Sequence, residues 1–262
     1  MTSDYLAHLR ADSARFAAVL ADTDPAAPVP SCPDWSAADL VAHLTQVQTF
    51  WGTIVAERMS APPAEQEDGP DSRGPADLAA LLPRFESASG RLSTALSAAG
   101  PDEPVWTWHD TDHTVGFVLR RQTHEALVHR LDAEATAGVD FDPIDPELAA
   151  DGIDEVLDVM YGGAPPWATV TIDGPVGLLR TTDCGRQWWV QVGRFDGVGP
   201  ESGTEYRDEP MLALLSEGRA AFTVSAAAAD LDAWLWNRPT IGSVSVDGDA
   251  SRFIAVLREG IQ

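Results

Sequence analysis

The sequence contains no lysine: all 17 of its basic residues are arginines, against 41 acidic residues. The net charge of −24 repels nucleic acids and anionic membranes, so neither is expected as a partner. Cysteine is scarce, and we expect Cys32 and Cys184, far apart in the sequence, to be reduced and unpaired. No apolar run reaches the roughly 18 residues of a spanning helix. The N-terminus lacks a secretory pattern, so we expect a cytoplasmic protein.

The hydrophobic period of the sequence changes past its middle. Helical spacing in the first part predicts four long helices and a short one: Tyr5–Leu20, a helix capped by Ser36, Leu78–Leu96, Val115–Ala135 and Pro146–Met160. The stretch Ala61–Gly74, rich in Pro, Gly and acidic residues, predicts a solvated loop. We therefore expect a helical bundle over residues 1–163.

From Pro165 onward the period alternates as it does in strands. The predicted strands are Ala168–Ile172, Gly177–Thr182, Gln187–Val192, Arg219–Ser225 and Ser243–Asp247, and the predicted helices are Ala227–Asn237 and Ala250–Arg258. Strands and helices in this order indicate a second, smaller α+β domain over residues 164–262.

The helix predicted over Val115–Ala135 carries charged and polar residues along its inner edge. Glu125 and His129 lie one turn apart, and the row that contains them also holds Arg121 and Asp132. Unpaired charge is expensive to bury, so this row needs partners. A divalent metal ion would supply one, because it compensates a carboxylate and accepts neutral imidazoles as ligands.

His43 is the candidate third ligand, from the helix capped by Ser36. It belongs to a row that we expect to face the bundle interior, with Leu40, Val47, Phe50 and Ile54. With Glu125 and His129 it gives two histidines, one carboxylate and open positions for water, thiolate or substrate. The pattern alone leaves open an alternative without a metal, in which Glu125 pairs with Arg121 and His43 is a core histidine with its hydrogen bonds made.

Three motifs resemble the mycothiol-dependent maleylpyruvate isomerase family. They are VPSCPDWSAADLVAHL from Val29 to Leu44, RRQTHEALVHRLDAEA from Arg120 to Ala135, and DLDAWLWNRP from Asp230 to Pro239. The resemblance implies a DinB-like four-helix metal-binding bundle followed by a smaller α+β, sterol-carrier-like domain. It implies that His43, Glu125 and His129 are the metal ligands.

Arg238, in the last of these motifs, would then bind a carboxylate of the substrate or of the thiol. Family members often have glycine where this chain has Asn237, which makes the shape of this loop an open point. The alternative is that Arg238 binds no ligand and is a cation at the C-terminal end of a helix, where the helix dipole favours positive charge.

The resemblance also implies an enzyme, with zinc as the metal and mycothiol as the thiol that the metal activates. The thiol would be transferred to a small electrophile or would catalyse its cis–trans isomerisation, and the sequence does not separate S-transferase from isomerase. Two alternatives are a non-catalytic metal-binding regulatory protein and a non-haem iron enzyme that uses the same two histidines and carboxylate.

Other polar residues near the proposed ligands have less defined roles. Asp132 either accepts the second ring N–H of His129 or pairs with Arg130 or Arg121. His109 and His113 lie in a loop before the metal-binding helix, where we expect either a surface role or contact with substrate.

Overall fold

The computed structural model describes residues 4–63, 77–200 and 202–259. It confirms the expected fold class, since a four-helix bundle precedes an α+β part with a mixed sheet. The chain divides into two compact units, Met1–Asp142 and Pro143–Gln262, so the division falls before the short helix that we grouped with the bundle. In the described ranges, no helix has the length and hydropathy of a membrane-spanning segment.

The first unit is a bundle of four helices with a short hairpin. The helices are α1 (Tyr5–Leu20), α2 (Ala37–Glu57), α3 (Leu78–Ala98) and α4 (Val115–Ala137), and the hairpin strands are β1 (Pro28–Val29) and β2 (Cys32–Ser36). Both α1 and α2 pack against α3 and α4, which places α1 and α2 at opposite corners. The loop expected over Ala61–Gly74 falls largely outside the described residues.

The core-facing side of α2 differs from our expectation. Leu40 and Ile54 of the predicted row are buried, whereas His43, Val47 and Phe50 are only half-buried. The buried side also contains Leu44, Gln48, Trp51 and Val55. Gln48 is fully buried, and its Nε2 donates to Ser13 Oγ of α1 at 3.1 Å. Because Gln48 is polar, the sequence pattern did not indicate that its side of the helix is buried. His43 lies at the edge of the core.

A capping box begins α2. Asp39 N donates to Ser36 Oγ at 3.3 Å, and Ser36 N donates to the Asp39 carboxylate at 2.9 Å. Hydrogen bonds from the Ser36 side chain and backbone lower the pKa of Asp39. These contacts satisfy N–H groups that have no partner inside the helix.

Ser36→Ala is expected to lower the free energy of unfolding by about 1 kcal/mol, because one capping acceptor is lost. Urea denaturation measures the change. Ser89→Ala, within α3, is the matched control and should change stability by less than about 0.5 kcal/mol. Equal losses in the two variants would count against the capping role.

The second unit is built on a six-stranded mixed sheet. Its helices are α5 (Pro146–Glu155), α6 (Ala228–Leu235) and α7 (Ser251–Glu259). Its strands are β3 (Thr169–Thr171), β4 (Val176–Thr181), β5 (Gln187–Val198), β6 (Glu205–Leu215), β7 (Phe222–Ala226) and β8 (Ser245–Gly248). The central β4 pairs antiparallel with β5 and parallel with β7, β8 borders β7, and β3 and β6 also pair with β5.

Two elements of this unit differ from expectation. We did not predict β6, because Met211–Leu215 is a continuous apolar run rather than an alternation and Pro210 argues against a strand. The predicted helix Pro146–Met160 is α-helical only to Glu155, and Val156–Met160 forms a π-helical turn.

Candidate metal centre

Three side chains from two helices of the first unit come together. His43 lies on α2, and Glu125 and His129 lie one turn apart on α4. Their candidate ligand atoms all lie within 4.8 Å of one another. Glu125 Oε1 is 3.4 Å from His43 Nε2 and 3.2 Å from His129 Nε2. One carboxylate oxygen therefore faces both imidazole nitrogens, an arrangement that a single cation could bridge.

The second oxygen of Glu125 has a different partner. Arg121 NH2 donates to Glu125 Oε2 at 2.8 Å, and the Arg121 side chain is only 5% exposed. Burial alone raises the pKa of Glu125, but hydrogen bonds from His129 and His43 and the charges of His129 and Arg121 outweigh it and hold the pKa well below its usual range. The carboxylate is therefore ionised. The Arg121–Glu125 pair, which we considered as an alternative to a metal site, exists together with the three-residue cluster.

Asp132 orients His129. Asp132 is fully buried, its Oδ2 lies 2.9 Å from His129 Nδ1, and Ser31 Oγ of the hairpin donates to its Oδ1. Burial lowers the pKa of His129, but the hydrogen bonds to Asp132 and Glu125 raise it to about 9. As an imidazolium, His129 would donate to Asp132 through Nδ1 and to Glu125 through Nε2. Exchange of the Nε2 proton for a cation would leave the bond from Nδ1 to Asp132 in place.

Trp35 of β2 covers both imidazoles. Its ring centroid lies 4.7 Å from that of His43 and 6.3 Å from that of His129. We did not predict Trp35 or Ser31 as contacts of the site. Both residues belong to the Val29–Leu44 motif, and this was the one sequence signal that could have indicated their role. The hairpin formed by the first part of this motif places them against the histidines.

The cluster is open on one side. The side chains of His43 and Glu125 are 32% and 21% exposed, whereas that of His129 is 8% exposed. A small molecule could therefore approach from the His43 side, while the His129 side is closed by Asp132 and the hairpin.

The other histidines near α4 lie outside the cluster. Among the described residues, the one group of three potential ligands within reach of each other contains neither His109 nor His113. His109 Nδ1 accepts from Asp112 N at 3.0 Å, and His113 Nδ1 lies 3.3 Å from Thr107 Oγ1. His124 is buried, with its ring 6.3 Å from that of Tyr5 on α1.

Arg238 follows α6 in the second unit. The helix ends in a Schellman motif, with hydrogen bonds from Arg238 N to Ala233 O at 2.8 Å and from Asn237 N to Trp234 O at 3.0 Å. Asn237 adopts the left-handed conformation, with φ +57°, and its Nδ2 donates to Leu257 O. Asparagine thus takes the conformation that glycine favours, so the expected change of loop shape does not follow from this residue. The ligand of Arg238 stays a prediction.

Comparison with known proteins yields two family matches. Residues 6–134 match the model of the mycothiol maleylpyruvate isomerase N-terminal domain, and residues 147–253 match that of the MDMPI C-terminal domain.

Two crystal structures of mycothiol-dependent maleylpyruvate isomerase, one of a histidine-to-alanine mutant, are similar to this chain. Their TM-scores are 0.59 and 0.60 at 16% and 14% identity, and the match covers 93% of this chain and 91% of each of theirs. At this identity the likeness is one of fold. A search of curated proteins finds no match.

Proposed function

This chain belongs to the mycothiol maleylpyruvate isomerase family, and on that premise we propose that it is a metal-dependent enzyme acting with mycothiol. In this proposal His43, Glu125 and His129 hold a zinc ion. The thiol is activated for S-transfer to a small electrophilic substrate or for its cis–trans isomerisation. The observation that carries the proposal is the convergence of two imidazole nitrogens and one carboxylate oxygen within 4.8 Å.

The donor set fits a catalytic zinc site. Such sites take three protein ligands from histidine and carboxylate and keep a further position open. No fourth His, Cys, Asp or Glu joins the cluster within residues 4–63, 77–200 and 202–259. This favours an open site over the closed four-ligand site of a purely structural or regulatory metal.

A bound divalent cation would supply a Lewis acid that keeps a coordinating thiol deprotonated at neutral pH. Three features of the chain would support this activation of a thiol. Glu125 contributes a single negative charge, so the site would keep a net positive charge that favours a thiolate over a neutral thiol. Asp132 fixes His129, and Trp35 covers the imidazoles and limits access of water.

The two outcomes differ in the fate of the thiolate. In isomerisation, it adds to a cis double bond conjugated to a carbonyl, and the π electrons move to the carbonyl oxygen. Rotation about the new single bond and expulsion of the same thiolate give the trans alkene. The thiolate is regenerated, and the substrate keeps its composition and mass. In S-transfer, the sulfur stays bonded to the electrophile. In an addition, the resulting enolate takes up a proton from solvent, and in a displacement, the leaving group departs with the electron pair of the broken bond. Under either outcome we assign to Arg238 the binding of a carboxylate of substrate or thiol.

The test is to mix metal-loaded protein with mycothiol and a panel of electrophiles that includes maleylpyruvate, and to analyse the products by mass and chromatography. Cis–trans conversion at unchanged mass supports isomerase, and a thiol conjugate supports S-transferase. Absence of thiol dependence with every electrophile would remove the proposal.

The identity of the metal has its own test. Two histidines and one carboxylate also form the ligand set of non-haem Fe(II) oxygenases, so the ligand set admits iron as well. Metal analysis of protein purified without chelator should find zinc. Stoichiometric iron with a ferrous spectroscopic signature would favour the iron-enzyme alternative.

Asp132→Asn is expected to weaken metal binding by about 10–100-fold, because a neutral amide acceptor leaves the His129 ring a weaker electron donor to the cation than a carboxylate does. Competition with a chromophoric chelator measures the affinity. Asp34→Asn, at an exposed position of the hairpin, is the matched control and should bind metal like the wild type. Equal affinities in all three proteins would show that Asp132 does not support the ligand.

A further inference from the structure

Two rows of side chains lead from the candidate metal centre to the loop of residues 105–113. On α4 the row runs from Glu125 through Arg121 to Phe117, in steps of one helical turn. The ring of Phe117 lies 5.4 Å from that of Trp108 and 5.1 Å from that of His109. Two turns at 1.5 Å per residue separate Phe117 from Glu125 by about 12 Å.

The second row lies on α2. It runs from His43 through Val47 to Phe50, whose ring lies 6.0 Å from that of Trp106. The spacing of these residues corresponds to about 10 Å of helix. Both rows start at one centre and reach one loop. The α2 row of His43, Val47 and Phe50 is half-buried and therefore partly accessible between the centre and the loop, whereas Arg121 and Phe117 of the α4 row are buried.

Backbone contacts fix the loop. Val105 N donates to His113 O at 3.0 Å, and Trp106 N donates to Met59 O at 2.6 Å. Thr107 Oγ1 donates to Asp112 O. The side chains at its tip are therefore presented from an ordered turn.

Trp108 and His109 offer complementary contacts at this tip. Trp108 packs edge-on against Phe117 but remains 45% exposed. His109 Nδ1 accepts from the backbone N–H groups of Thr111 and Asp112, which places the ring proton on Nε2 as a further donor. An aromatic surface beside a hydrogen-bond donor suits a hydroxylated ring, which has both C–H faces and hydroxyl groups.

We propose that Trp108 and His109 form a subsite for the tail of the thiol. The ligand class is a low-molecular-weight thiol whose tail can place an outer hydroxylated ring about 10–12 Å from its sulfur, the spacing from the centre to the loop along the two helices. The sugar end of mycothiol is a tail of this kind. The sulfur lies at the candidate metal centre, the tail follows the half-buried row of α2, and its outer ring lies on Trp108. This subsite rests on the proposed function and predicts that a thiol with a ring tail binds more tightly than one without it.

Calorimetry of metal-loaded protein with two thiols tests the subsite. Mycothiol carries the ring tail, and N-acetylcysteine has the same thiol head without it. Wild-type protein should bind mycothiol more tightly. Trp108→Ala should weaken mycothiol binding by about tenfold, the scale of one aromatic contact, and leave N-acetylcysteine binding and metal content unchanged. Trp108→Phe should restore most of the affinity.

Asp110→Ala, at an exposed position of the same loop, is the matched control and should behave like the wild type. Unchanged mycothiol affinity in Trp108→Ala would overturn the subsite, as would equal losses for both thiols. If the wild type binds neither thiol, the proposed function fails and the subsite with it. If it binds both with equal affinity, only the subsite fails.

Discussion

Replacing His43 with alanine is expected to abolish metal binding while the bundle stays folded. One of the three proposed ligands is lost, so the affinity should fall by more than the roughly 10–100-fold that follows loss of an outer-shell hydrogen bond. The His43 side chain is 32% exposed and lies at the edge of the core, so its truncation opens no sealed cavity. Metal content after dialysis and the far-ultraviolet circular dichroism spectrum measure the two effects.

A control variant at another histidine shows whether the loss of metal is specific to His43 or follows removal of a histidine elsewhere. His8→Ala, on α1 and outside the cluster, should retain full metal content. Thiol-dependent activity should follow the metal, lost with His43 and kept with His8. Full occupancy of the His43→Ala protein would refute the assignment of the site.

Replacing Glu134 with alanine is expected to lower the free energy of unfolding by about 3–5 kcal/mol, since it removes one partner of a buried ion pair. Glu134 is fully buried on α4. Its Oε2 lies 2.9 Å from Arg130 NH1, and its Oε1 accepts from Arg15 Nε at 2.9 Å and from Asp142 N at 3.1 Å. The Arg130 side chain, only 2% exposed, would keep its second carboxylate partner, Asp12, whose Oδ1 is 2.8 Å from Arg130 Nε, so we expect a loss at the lower end of this range.

Urea denaturation compares this variant with Glu86→Ala, which removes an exposed carboxylate from α3 and should change stability by less than about 0.5 kcal/mol. Metal content at low temperature should be the same in both, because Glu134 lies outside the ligand cluster. A loss in Glu134→Ala no larger than in the control would mean that the network adds little to stability.

The helices could be predicted from the sequence because their signals are local. The period of apolar residues gave α1 the bounds Tyr5–Leu20, and the Ser36–Asp39 spacing placed the start of α2. The i,i+4 spacing likewise brought Glu125 and His129 to one face of α4. Each of these inferences depends on residues within one or two turns.

Inferences about which surfaces meet were less successful. Gln48 concealed the core row of α2, because its burial depends on Ser13 of another helix. The contact of Ser31 with Asp132 joins residues far apart in the chain, and no periodicity reports it. The strand β6 depends on pairing with β5, and its own residues do not alternate. In each case the determining partner is distant in sequence.

The single oxygen that Glu125 presents has a consequence for discrimination among ions. Magnesium and calcium demand shells of six or more oxygens. Here Arg121 holds the other carboxylate oxygen, and the remaining candidate donors of the described cluster are imidazole nitrogens. Such a centre would be indifferent to alkaline-earth ions, so a large excess of magnesium should neither fill it nor displace a transition metal from it.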